Sequence, residues 1–337
     1  MFKNLLVYRL GADWSATVAQ IEAALEGARF TECGLTQPRS MGWVSPRGED
    51  HGALVEAVAG QWLLQLMVEQ KLVPGSVLKR QVDALAAQVE KQTGRKPGKK
   101  QRNELKGQAL LDLLPMAFTK RASVKVWIAP AERLLVIDAS SAGRADEVLT
   151  ALTQALPGLT ALLVNTAWSP ATAMAEWLTS GEAPAGFTID RDCELKGADG
   201  EKPVVRYARH ALDIDEIRAH IQAGKLPTRL ALTWTGRVSF MLTEGLQIKK
   251  IAFLDGVFES GGKKEDNFEA DAAIATGELA PMIGDLLDAL GGEQVFGEAP
   301  EAAATAAAPA PSAPAAPASS AAPAASTDLP PWESATP

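Results

Sequence analysis

The amino-acid sequence predicts an α+β fold of mixed, largely antiparallel sheets with flanking helices. Three observations lead there. Short apolar segments alternate with a period of two and are closed by turn residues, the pattern of hairpin strands. Segments with apolar residues at helical spacing are interleaved with them, without the regular strand–helix alternation of a doubly wound parallel sheet. The chain has 337 residues, 47% of them hydrophobic, enough to bury a sizeable core shared by two or three subdomains.

FKNLLVYRL opens as a strand, with Lys3, Leu5, Val7 and Arg9 on one side and Phe2, Leu6 and Tyr8 on the other. WSATVAQIEAALEGARF follows as a helix on Val18, Ile21 and Leu25, stopped by Gly27. MGWVSPRG is a short strand broken at Pro46, and QWLLQLMVEQKLV is another, ending at Pro74–Gly75. Two helices come next and form a hairpin over about 75–118. The first carries the stripe Leu78, Val82, Leu85 and Val89. The second carries Leu110, Leu114 and Phe118, with Pro115 disturbing its last turn. TGRKPGKKQ joins them as a loop because Gly94, Pro97 and Gly98 disfavour helix interior.

RASVKVWIA and RLLVIDAS are strands, and GRADEVLTALTQAL is a helix facing inward through Val148 and Leu152. Past Ser169–Pro170 a short helix carries Met174, Trp177 and Leu178. VVRYARHAL is a strand, and DIDEIRAHIQAG a helix with Asp213 as its N-cap. RLALTW, RVSFML and LQIKKIAF form a meander turning at Thr235–Gly236 and Glu244–Gly245. ELAPMIGDLLDALGG is the last helix. The folded body is expected over residues 1–297. Residues 298–337 are rich in Ala, Pro and Ser with no Lys or Arg, the composition of a disordered, semi-extended tail. The tail ends in TDLPPWESATP, where Trp332 has the look of a short docking peptide.

Charge is unevenly placed. The formal net charge is -8, yet thirteen basic and four acidic residues lie between Lys71 and Lys125. Arg95, Lys96, Lys99, Lys100 and Arg102 sit together at the tip of the helical hairpin. Such a tip is either a solvated turn or a contact for a polyanion. Affinity for duplex DNA comes mainly from Lys and Arg neutralising phosphates, and needs no base-reading motif. No helix-turn-helix, zinc-finger or RNP aromatic pattern is present. Trp43, Trp62, Trp127 and Trp234 stand in apolar contexts that suit a core better than base stacking.

Catalytic patterns are missing. GGKK at Gly261–Lys264 lacks the spacing of a phosphate-binding loop, and no GxGxxG follows a strand. The three histidines, His51, His210 and His220, lack ligand spacing, so no metal or cofactor is expected, and His220 reads as a structural residue. Cys33 and Cys193 are far apart, with no CxxC pair and no activating neighbour, which fits a reducing cytoplasm. Asp213, Asp215 and Glu216 stand where a helix dipole favours acids. The N-terminus lacks a signal-peptide pattern, and no stretch approaches the ~20 apolar residues of a membrane span.

Several collinear blocks resemble the bacterial recombination-associated protein family RdgC. They are FKNLLVYRL, the MGWV at Met41–Val44, LLPMAF at Leu113–Phe118, EWLTSG at Glu176–Gly181 with Gly186–Phe187, HIQAGK at His220–Lys225 before LALTW, and TGELAPMI at Thr276–Ile283 before LLDALGGE. The resemblance runs from Phe2 to about Glu293 and leaves out the tail. It implies a curved multi-subdomain body that closes as a ring-shaped homodimer around duplex DNA. It also implies no sequence preference, no enzymatic activity, a nucleoid location and antagonism of RecA-promoted recombination. Phe118 falls at a family contact between subunits, and Arg209 and His210 fall where the family has a basic–polar pair. Met116 stands where a basic residue can occur, so that position is not expected to hold phosphate. The expected DNA contacts are Lys3, Arg9, Arg95, Lys96, Lys99, Lys100, Arg102, Lys120, Arg121 and Arg209. The expected dimer contacts are Phe118 and His210. A second class stays open: a protein-interaction module that acts on RecA or a replication factor through the tail.

Overall fold

The structure is a computed structural model and describes residues 2–197, 203–258 and 268–294. The Gly261–Lys264 segment and the tail with Trp332 lie outside the described residues. Twelve strands form one sheet, and every strand pairing in it is antiparallel. In chain order the elements are β1 (Leu5–Leu10), α1 (Val18–Glu26), β2 (Arg39–Val44), β3 (Val55–Val58), β4 (Gln61–Leu72), α2 (Gly75–Thr93), α3 (Lys99–Leu113), a 3-10 turn (Leu114–Met116), β5 (Phe118–Ala129), β6 (Leu134–Asp138), α4 (Ala142–Ala155) and β7 (Ala161–Leu163). They continue as α5 (Pro170–Ser180), β8 (Phe187–Gly197), β9 (Val204–Tyr207), α6 (Asp215–Gln222), β10 (Lys225–Trp234), β11 (Val238–Thr243), β12 (Ile248–Phe253) and α7 (Phe268–Ala289). The sheet order is β2-β4-β5-β6-β1-β12-β11-β10-β8-β9, with β3 on β4 and β7 on β1.

Strand β1 sits between two cores. Phe2, Leu5 and Val7 join Trp127, Val136, Leu230, Leu232 and the helices α5, α6 and α7 through Met174, Trp177, Ile217, Leu279 and Met282. Leu6, Tyr8 and Leu10 join Trp43, Leu64, Val126 and Ile137 under α1 and α4, which contribute Ile21, Leu25, Val148 and Leu152. Burial of both faces replaces the expected contrast between an inner and an outer side, because helices cover this half of the sheet twice. The buried indoles have partners. Trp127 Nε1 donates to Gln61 Oε1 at 2.8 Å and Trp234 Nε1 to Asp285 Oδ2 at 2.7 Å.

Local chemistry explains most boundaries. Thr17 caps α1 in a reciprocal box with Gln20, and Gly27 closes it. Gly94 and Gly181 end α2 and α5 at φ of 72° and 76°, where glycine meets no Cβ penalty. Four expectations are corrected. Asp213 is not the cap of α6; Ile214 holds that place without a side-chain bond. Lys99 and Lys100 belong to the first turn of α3, so the loop spans only Gly94–Gly98. Phe118 is not on the helix, because the 3-10 turn at Pro115 ends it and Phe118 starts β5. The α2 stripe of Leu78, Val82, Leu85 and Val89 is only half-buried; Ala86 is the buried residue of that helix. Strands β3, β7 and β8 were not anticipated.

Gly42 makes the tightest chain crossing near an edge of the sheet. A Cβ there would lie 2.4 Å from Phe30 Cα, against backbone that cannot swing away. Gly27 has nothing within 4 Å of the same imagined atom. Gly42→Ala should therefore lower the melting temperature clearly, while Gly27→Ala should leave it unchanged or slightly raised. Thermal unfolding of the two variants checks this, and equal effects would contradict it.

Candidate nucleic-acid interface

The candidate interface is carried by an excursion between β4 and β5. These strands pair over a long ribbon from Trp62↔Ile128 to Leu72↔Phe118. Its inner half is core, whereas Phe118 to Ser123 on β5 are exposed. At the open end of the ribbon the chain leaves as α2 and returns as α3. The two helices pack chiefly on one another, and Ala86, Ala109 and Leu114 are the buried residues across the hairpin and its closing turn.

At the hairpin tip Arg95, Lys96, Lys99 and Lys100 are all exposed. Among the described residues none of the four forms an ion pair. Arg102 is engaged with Asp83 across the hairpin at 2.8 Å. Lys99 and Lys100 occupy the first turn of α3, with no acidic residue in that turn and no side-chain cap from Gly98. Cations at a helix N-terminus work against the macrodipole, and the first amides lack partners within the helix. An anion at this end would satisfy both.

The base of the excursion differs in character. Phe118 is 85% exposed and Met116 76%, and Leu72 and Leu111 are exposed as well. Lys120, two residues along β5 from Phe118, shares its face of the ribbon. Arg121 points to the other face and is tied down there. Its Nε donates to Glu69 Oε1 at 2.8 Å, a second bond reaches Glu32, and the guanidinium lies 5.6 Å from the Phe30 ring centroid. Glu69 is 2% exposed and also accepts from Cys33 N at 2.6 Å. The bonds from the Cys33 amide and Arg121 outweigh burial and hold the Glu69 carboxyl below the usual carboxylate range.

The other expected contacts do not gather here. Arg9 on β1 makes a forked bond to Glu293, with Nε at 3.0 Å from both carboxylate oxygens, and also reaches the Glu132 carbonyl. The exposed Lys3 uses its backbone N–H on Asp138 Oδ1 at 3.2 Å. Arg209 and His210 follow β9. Arg209 has φ of 54° and donates its N–H to Asp192 Oδ1 at 2.8 Å, and the exposed His210 ring sits 6.0 Å from that of Tyr207. His220 bonds Lys225 Nζ at 3.1 Å, in line with a structural part. Sequence reasoning missed the apolar collar of Leu72, Leu111 and Met116. Its signal was there: Leu111 and Met116 fall off the helical stripe, beside a proline.

Nothing in this geometry marks a catalytic centre. Among the described residues, no three or more His, Cys, Asp or Glu side chains are grouped to hold a metal ion. Burial and the Glu194 charge push the Cys193 thiol up to about 12, which leaves it protonated at neutral pH. No helix among the described residues is long and apolar enough to cross a membrane.

Residues 1–293 match the family described as "Putative exonuclease, RdgC". The chain belongs to the RdgC family. It is 45% identical over 301 residues to a protein of Dechloromonas aromatica named recombination-associated protein RdgC, covering 87% of this chain and 98% of that one. Proteins of the same name from Cupriavidus necator and Bordetella pertussis are 45% and 41% identical over 297 residues, covering 87% of this chain and 99% of each relative. The family description mentions an exonuclease, whereas the names of these relatives mention recombination and no enzymatic activity.

The Glu69 site gives a pH prediction. Its carboxyl is more acidic folded than unfolded. Its stabilisation is therefore complete above the ordinary carboxylate range of about 4.3 and is lost as pH falls through the depressed folded value. Glu69→Gln should lower the melting temperature at pH 7, with a deficit that shrinks as the solution is acidified. A deficit that stays constant or grows toward acid pH would contradict the assignment.

Proposed function

We propose that the chain acts as a homodimer that binds duplex DNA without sequence preference, closes around it as a ring, and restrains RecA-promoted recombination by occupying the duplex in the nucleoid. The observation that carries this reading is the exposed tip of the α2–α3 hairpin. Four basic residues there have no carboxylate partner among the described residues, and two of them sit on an uncapped helix N-terminus. Backbone phosphates are the polyanion that such point charges suit, since they contact position without reading bases. The names of the relatives support placing this binding in recombination. Arg9 and Arg121 hold the fold together in this account, because their guanidinium groups are occupied by Glu293 and by Glu69 with Glu32.

The collar of Leu72, Leu111, Met116 and Phe118 supports the second half of the proposal. An apolar patch rimmed by charge has the composition of an interface between subunits, and a second copy of the hairpin would also cover the half-buried α2 stripe. The reading includes no nuclease step, so duplex incubated with the protein and Mg²⁺ should keep its length.

Replacing Lys99 and Lys100 together by Glu should lower duplex affinity at least ~10-fold at ~0.1 M salt, equally for unrelated sequences. Lys→Arg at the same positions should change little, since charge and not shape is used. Unchanged affinity in the double Glu variant would assign the tip to solubility.

Phe118→Ser should leave the melting temperature of the fold intact, because the ring is already in solvent. It should weaken binding to circular DNA more than to short linear duplex, since an open clamp keeps its phosphate contacts but loses topological retention. Mass photometry and a circular-versus-linear competition measure this. A loss of stability in the ~3–5 kcal/mol range of a buried aromatic truncation would make Phe118 a core residue and end the interface claim.

A further inference from the structure

A second cationic recess lies far along the chain from the hairpin, on the β8–β12 half of the sheet. Leu230, Leu242 and Ile248 face the core there, so Arg229, Glu194 and Lys249 face the other way. Two irregularities shape that outer face. The pairing of β10 with β8 passes from Pro227↔Leu195 to Arg229↔Glu194, which leaves Thr228 as an extra residue. A bulge of this kind turns neighbouring side chains to one side. Thr228 Oγ1 accordingly donates to Glu194 Oε1 at 3.0 Å, while Arg229 Nη1 stands 3.7 Å from Glu194 Oε2. The pairing of β11 with β12 passes from Ser239↔Ala252 to Met241↔Lys249, and Lys250 takes φ of 53°. A positive φ at a lysine in a strand is costly backbone and marks a place where geometry is held for a purpose.

Between these irregularities is a recess of about 350 Å³ lined by Lys196, Thr228, Arg229, Thr243, Gln247 and Lys249. Glu194 lies at its floor and Glu244 also lines it. The Glu194 charge is already answered. Burial works to raise its carboxyl, but the bonds from Arg206 at 2.6 Å and Thr228, with the nearby Arg229, hold it below the usual range. Among the described residues Lys196 and Lys249 form no ion pair, and the Arg229 side chain is 52% exposed. Lysine ammonium groups, a guanidinium fork and a hydroxyl around one recess suit a tetrahedral anion.

We propose that this recess receives a backbone phosphate of duplex DNA, as a contact separate from the α2–α3 tip. The inference rests on the duplex-binding reading above and adds to it a second point of attachment on a rigid part of the sheet. Two contacts at opposite ends of the sequence would fix the duplex relative to the body, which a single exposed tip does not do.

The test replaces Lys196 and Lys249 together by Gln in the full chain and measures 30-bp duplex binding across a salt series, with mass and melting temperature on the same samples. The log–log salt slope should become shallower by about two, one for each lost phosphate contact, at unchanged mass and melting temperature. The corresponding double Arg variant should keep the wild-type slope. A wild-type slope in the Gln variant overturns the proposal, and so does an equal loss in the Arg variant, because charge would then not be the cause. A wild-type protein with a flat salt response sinks the duplex reading itself, and this proposal with it.

Discussion

Burial of β1 on both faces is the constraint on which the rest of the molecule depends. Leu5 and Val7 hold the core shared with α5, α6 and α7, while Leu6, Tyr8 and Leu10 hold the one under α1 and α4. The direct seam between the halves of the sheet is thin. β1 and β12 share the registered pair Leu5↔Ile248, extended by the Ile251 N–H donating to the Lys3 carbonyl at 3.0 Å. Packing on either side of β1, more than this short ladder, unites the sheet. A shift of one residue in β1 would exchange its two sets of side chains between cores of different shape.

A body fixed in this way leaves the hairpin free to serve another end. α2 and α3 bury little, and the ribbon that carries them is exposed over its outer half. What stability the excursion lacks in apolar burial it takes partly from the Glu69–Arg121 bond at its root. The basic excess is displayed on this lightly packed element, where charged groups stay hydrated and meet phosphate without a large desolvation cost. The recess on the outer face of the β8–β12 half is the opposite case, a few cations positioned by strand bulges on a stiff support.

Much of the architecture was legible because one-sided burial leaves a period. Ile21 with Leu25, Val148 with Leu152, and Met174 with Trp177 and Leu178 all mark inward helix faces and are buried or packed as that spacing requires. The period failed where local rules competed. Leu110, Leu114 and Phe118 fit a helix stripe, yet Pro115 converts the last turn to 3-10 and sends Phe118 into a strand. β8 was hidden by Asp190, Asp192 and Glu194, acids that suit its open face and mask the alternation. The candidate site was legible as a cluster of charge but not as a set of free charges. Arg9 and Arg121 looked as available as Lys96, and their carboxylate partners are 284 and 52 residues away. Strand bulges have no reliable signature in residue order, so the grouping of Lys196, Arg229 and Lys249 emerges only from the register.

The central claim is that an acidic chain binds duplex DNA through locally concentrated charge. The most direct measurement is the affinity for random-sequence duplex across a salt series, with native mass recorded on the same samples. If about six phosphates are neutralised per dimer, the log–log slope should be roughly -5, with a dimer as the bound species and no preference among sequences. A flat salt response, or strong selection of one sequence over random duplex, would contradict the account.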